Sequence, residues 1–153
     1  MVRVMYRNIL VPVDDSAAAI ESVEQAVELA KALGSRIKLV HVINRTPWMP
    51  LGVEPASMEN LVGQIQAASE SMLRGLEKEV RASGIDADAK LIEAFGERVG
   101  EFVVVEANSW PADLIICGTH GRRGVRRLLM GGDAEYILRH SHVPVLFIPA
   151  CNL

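Results

Sequence analysis

Cysteine is scarce in this chain. Only Cys117 and Cys151 occur in 153 residues. Two thiols, one in an apolar run and one beside the C-terminus, make no disulfide framework, which points to a reducing compartment. Excess positive charge is lacking too. The formal net charge is −3, and binding to a nucleic-acid backbone rests on surplus Lys and Arg, so nucleic acid is not the expected partner. No run approaches the ~20 apolar residues that cross a bilayer. Arg3 and Arg7 are not followed by an apolar h-region and a small-residue cleavage site. Internal repeats, low-complexity stretches and a second domain are missing as well. A soluble cytoplasmic protein with one domain over 1–153 is the expectation.

What is present is apolar residue in abundance. Half of the chain is hydrophobic, enough for a substantial core. Asn8 to Val13 reads as a buried strand, followed by Asp14-Asp15-Ser16, all residue types that cap helices. Ile20, Val23, Val27 and Ala30 then recur at helical spacing, and Gly34 closes that helix. Ile37 to Ile43 is a second strand. The irregular stretch 44–56 contains Pro47, Pro50, Gly52 and Pro55, and Ser57 is placed to cap a long helix that Gly84 ends. Ala87 to Ala94 is a third strand. A helix from Gly96 to about Asn108 follows, although the β-branched run Val103-Val104-Val105 would also suit a strand. Asp113 to Gly118 is the fourth strand, Gly132 to His140 a helix, and Val143 to Pro149 the last strand. Strand–helix alternation of this kind predicts a five-stranded parallel, Rossmann-like sheet in the order 3-2-1-4-5, with helices on both faces.

In such sheets ligands bind beyond the carboxyl ends of the strands, where the strand order reverses. That point lies between strands one and four. Asp14 follows the first. Gly118-Thr119-His120-Gly121 follows the fourth, and nine residues later come Gly131-Gly132. Glycines permit positive φ and close approach of backbone N–H groups to an anion. Gly131 and Gly132 would supply the first amides of a helix, whose N-terminus favours phosphate. Arg122, Arg123, Arg126 and Arg127 add positive charge. Asp14 is suited to accept hydrogen bonds from a ribose hydroxyl or an adenine amine, with Asp15 or Ser16 capping the helix. The histidines His41, His120, His140 and His142 lack the Cys or carboxylate partners of a metal site. Trp48 and Trp110 read as packing or lid residues, Trp48 lying nearer the crevice.

On these segments the chain resembles the universal stress protein family, in its ATP-binding form. The resemblance runs through Asn8-Ile-Leu-Val-Pro-Val-Asp14-Asp-Ser, Leu39-Val-His-Val, Asp113-Leu-Ile-Ile-Cys-Gly-Thr-His-Gly-Arg-Arg-Gly and Pro144-Val-Leu-Phe-Ile. The family's phosphate motif is Gly, two residues, Gly, nine residues, Gly, then Ser or Thr. Gly118, Gly121 and Gly131 fill the glycine places, but Gly132 stands where the hydroxyl belongs, which implies weaker phosphate binding. Asp133 next to it would repel phosphate unless turned outward or sharing a metal ion. The resemblance implies that Asp14 contacts adenosine and that Val13 and Val40 frame the base; Pro12, His120, Arg122 and Arg123, within the same segments, are counted with the candidate nucleotide-binding residues. It implies ATP as ligand, with or without Mg²⁺, and a homodimer through Val143 to Pro149. An exposed apolar edge strand gains from such pairing.

Asp14, His120 and Asp133 are candidates to position a water, but none makes a convincing hydrolytic base, so binding is expected and hydrolysis is left open. Gly132 and Asp133 keep a second reading in play, a nucleotide-free interaction module. A phospho-acceptor receiver domain would need an Asp at the end of strand three and a Lys after strand five. Glu93-Ala94-Phe95 and Pro149-Ala150 stand there instead.

Overall fold

The computed structural model describes residues 5–45, 52–119 and 130–149. Its elements run β1 (Asn8–Pro12), α1 (Ala17–Leu33), β2 (Arg36–Asn44), α2 (Pro55–Ala82), β3 (Ala87–Ala94), α3 (Val99–Ser109), β4 (Leu114–Gly118), α4 (Gly132–His140) and β5 (Val145–Ile148). The strands form one parallel sheet in the order β3-β2-β1-β4-β5. This is the expected topology.

Alternation along the strands divides the core in two. Ile9, Val11, Ile37 and Leu39 face α1 and α2, where Val23, Ala26, Leu73 and Val80 meet them. Leu10, Val40 and Ile115 face the other way, toward Val103 and Ala107 of α3 and Ile137 of α4. Helices therefore cover both faces.

Several boundaries differ from the sequence reading, each for a local reason. Ile20 is 49% exposed. The inward stripe of α1 is instead Ala19, Val23, Ala26 and Ala30, with Ser22 buried by donating to the Ala18 carbonyl at 2.7 Å. Small residues on that face let the helix lie close to the sheet. α2 starts at Pro55 rather than after Ser57, as suits a proline whose missing N–H costs nothing in the first turn. α3 starts at Val99, not Gly96. Gly96 holds φ at 112° and the Glu97 carboxylate accepts the Phe95 N–H at 2.8 Å, so these residues form a turn ahead of the helix. Val103, Val104 and Val105 are helical. β5 begins at Val145, because Pro144 has no N–H for the ladder, though its carbonyl still accepts from Ile115 at 3.0 Å.

Candidate functional site

The strand order reverses between β1 and β4. β1 and β4 pair at Ile9 with Leu114 and at Leu10 with Ile115. Past those pairs, each strand end leans on its outer neighbour. Val13 N–H donates to Val40 O of β2 at 2.8 Å, while Thr119 N–H donates to Ile148 O of β5 at 3.0 Å. Beyond Leu10 and Ile115 the two strands are not paired with each other among the described residues.

On the β1 side, Ser16 is the helix cap: its hydroxyl accepts the Ala19 N–H at 3.2 Å. Asp14 is not the cap. Its Oδ1 accepts the Ser16 N–H at 2.8 Å, which fixes the carboxylate, half-buried, at the end of β1. Pro12 is half-buried and Val13 buried beside it. Val40, expected to frame a base, lies deep in the sheet. It is 1% exposed, its side chain lies in the core, and its carbonyl is taken by Val13. Val42 lies on the same face of β2, two residues nearer the carboxyl end and past the last pairing with β1 at Pro12 and Val40. Choosing it required the register, which sequence alone does not supply.

On the β4 side, the described glycines have packing and backbone roles of their own. Positive φ occurs at Gly34, Gly52, Gly84 and Gly96, not at Gly118, Gly131 or Gly132. A Cβ on Gly118 would sit 2.9 Å from the Ala18 Cβ, so this glycine admits α1 against the sheet. Gly131 caps α4 with φ −60° and ψ 154°. Its N–H does not point to a ligand: it donates to the Thr119 carbonyl at 2.8 Å and joins the two ends of the glycine segment. Gly132 heads the helix, with no atom of the described residues within 4 Å of its Cβ position. Asp133 is turned toward α3, where its Oδ1 accepts the Gly100 N–H at 3.0 Å. His120, Gly121, Arg122 and Arg123 lie outside the described residues, as do Arg126, Arg127 and Trp48.

The sequence reading passed over two clusters. His41, buried in β2, donates from Nδ1 to the Val13 carbonyl at 2.7 Å. Glu106 of α3 is 4% exposed and is bridged by Lys38 and Lys90, each at 2.6 Å. Burial alone would raise the Glu106 carboxyl. The hydrogen bonds and charges of the two lysines outweigh it and hold the group below the usual carboxylate range. An acid at an inward position of a helix, between Val103 and Ala107, was the available signal. Trp110 packs under Arg36 and Lys38, whose cations lie 5.1 and 5.7 Å from its ring centre. Among the described residues no group of three or more His, Cys, Asp or Glu is arranged to hold a metal ion.

The model of the universal stress protein family matches residues 5–149. The chain belongs to the universal stress protein family. Among curated relatives, universal stress protein MJ0531 of Methanocaldococcus jannaschii is 28% identical over 144 residues, covering 94% of this chain and 82% of the relative. Among solved structures, a universal stress protein family member from Burkholderia pseudomallei is 30% identical with a TM-score of 0.76, covering 95% of this chain and 98% of that one. A protein described as hypothetical protein MJ0577 superposes with a TM-score of 0.85 at 22% identity, covering 97% and 99%. That second likeness is one of fold. So are those to a universal stress protein solved with cAMP (TM-score 0.70, 18% identity, covering 96% and 99%) and one from Archaeoglobus fulgidus solved with dAMP (0.65, 21%, covering 94% and 98%). In this universal stress protein, no described helix is long and apolar enough to cross a membrane.

Proposed function

We propose that this universal stress protein binds an adenine nucleotide, ATP in particular, in the crevice between β1 and β4. The observation that carries the reading is the end of β1–β4 pairing at Leu10 and Ile115, which leaves Asp14 after one strand and Gly118 with Thr119 after the other. Asp14 retains Oδ2 for a nucleoside hydroxyl or amine. Val42 stands at the edge of β2 that β1 leaves uncovered, and takes the base-facing role expected of Val40. The Gly132 N–H, at the start of α4, is offered to the phosphates, and Gly121, Arg122 and Arg123 are carried into the proposed site from their places in the sequence motif. Mg²⁺, where present, arrives with the nucleotide, since Asp133 is held by Gly100. The fold likeness to complexes with cAMP and dAMP supports an adenine ligand. The site acts in binding and signalling, in the cytoplasm, with hydrolysis slow or absent.

Replacement of Gly121 by Val tests this reading. The variant is expected to keep the parent's thermal unfolding and lose ATP binding in calorimetric titration. Unchanged affinity would remove the glycine segment from the site.

A nucleotide-free dimeric interaction module is the second reading. β5 lies at the sheet edge with Leu146 43% exposed, a surface suited to two-fold pairing. Gly132 lacks the hydroxyl that a phosphate would meet. The same β5 pairing accompanies the nucleotide reading, so a dimer alone does not favour either one.

A further inference from the structure

The ladder between β1 and β2 ends in an unusual exchange. In a parallel pair, a strand residue donates to its neighbour's carbonyl one step behind the partner and accepts from the amide one step ahead. Pro12 is partnered with Val40, and Val13 N–H accordingly donates to Val40 O at 2.8 Å. Continuing the pattern would bring the Val42 N–H to the Val13 carbonyl. Pairing stops instead, and the Val13 carbonyl receives the side chain of His41 at 2.7 Å. A carbonyl can only accept, so Nδ1 of His41 carries the proton.

Resting on the adenine-nucleotide reading, we infer that His41 is the positioning residue of the nucleoside end of the site, aiming Asp14 through Val13. The imidazole takes over one ladder bond at the point where the chain must leave the sheet. Val13 is thereby clamped at both polar groups, its N–H by Val40 and its C=O by His41. Asp14 is the next residue. Its own carboxylate is braced by the Ser16 N–H at 2.8 Å, and Ser16 is locked as the cap of α1. Backbone freedom at Asp14 is thus removed from both sides before any ligand arrives, which lowers the ordering cost of binding. His41 is buried and acts on a ligand through Asp14 alone. A side chain of another shape would fill the same space but leave the Val13 carbonyl without its donor.

Two substitutions separate position from polarity. In His41→Asn the amide nitrogen can reach the place of Nδ1. In His41→Gln it extends to the place of Nε2 and misses the carbonyl. Dissociation constants for adenosine and ATP are measured by titration calorimetry on the full chain, with thermal unfolding as the control for folding. His41→Gln is expected to weaken both ligands about tenfold, and His41→Asn to stay within about threefold of the parent. In an Asp14→Ala background, His41→Gln is expected to change affinity by less than about twofold, because coupled residues are not additive. Nitrogen-correlated NMR of the parent is expected to report His41 protonated at Nδ1. Equal binding by parent and His41→Gln, or a full tenfold loss on top of Asp14→Ala, would overturn the positioning role while leaving the nucleotide site intact. Failure of the parent to bind adenosine or ATP would overturn the nucleotide reading itself, and this role with it.

Discussion

The carboxylate of Asp133 accepts the Gly100 N–H at 3.0 Å, so the first turn of α4 supplies a cap to the first turn of α3. Arg98, at the cap position of α3, offers no side-chain cap of its own. Contact between the helices is close. A Cβ on Gly100 would lie 2.9 Å from the Asp133 carbonyl oxygen and 3.1 Å from the Tyr136 Cβ. Asp133→Ala is expected to lower stability by about 1 kcal/mol, as for other lost caps, and Asp133→Asn by less. Gly100→Ala is expected to cost more, roughly 1–3 kcal/mol, because backbone must shift. Urea denaturation of the three variants checks the ranking.

Gly132→Ser is expected to strengthen ATP binding. Among the described residues no atom lies within 4 Å of the Cβ it would add, and a hydroxyl there is expected to meet the phosphates at the helix N-terminus. One neutral hydrogen bond contributes about 0.5–1.5 kcal/mol, or roughly two- to tenfold in affinity. Adenosine, lacking phosphates, should bind the variant as it binds the parent. Parallel titrations with the two ligands read the difference.

Glu106 ties α3 to β2 and β3 through Lys38 and Lys90. Removing the carboxylate leaves Lys38, 15% exposed, without its partner, so Glu106→Ala is expected to destabilise by roughly 1–3 kcal/mol. The lysine pair lowers the carboxyl in the folded state. Its contribution is therefore full above the ordinary glutamate pKa of about 4.3 and is lost as pH falls through the folded value. Unfolding free energy measured from pH 6 downward should drop more steeply for the parent than for Glu106→Gln.

Cys117 lies buried in β4, and burial pushes its thiol up to about 12. Thiolate is the reactive form. In a Cys151→Ser variant, an aromatic disulfide reagent at pH 8 is expected to leave the folded protein unmodified and to titrate one thiol in guanidinium. Rapid reaction of the folded protein would show that β4 opens locally.

Strand order and helix placement were legible in the sequence because both rest on local signals. Apolar runs such as Leu114 to Cys117, and caps such as Ser16 and Gly34, specify elements whatever the tertiary partners are. The site was legible only in outline. Asp14 and the glycine spacing mark the crevice, yet which valine of β2 lies past the last pairing with β1 cannot be read without the register. Gly118 also lies against Ala18 of α1, a contact that no sequence pattern shows. Asp133 seemed a liability until its partner on α3 was known. Long-range pairs carry these roles, and periodicity is blind to them.

The central claim is that Asp14 and the glycine segment form one adenine-nucleotide site. Equilibrium dialysis of the purified protein against labelled ATP, with and without Mg²⁺, tests it most directly. Retention of nucleotide by the parent, displaced by unlabelled ATP and lost in Asp14→Ala, is the expected result. No retention at millimolar ATP, or equal retention by Asp14→Ala, would contradict it.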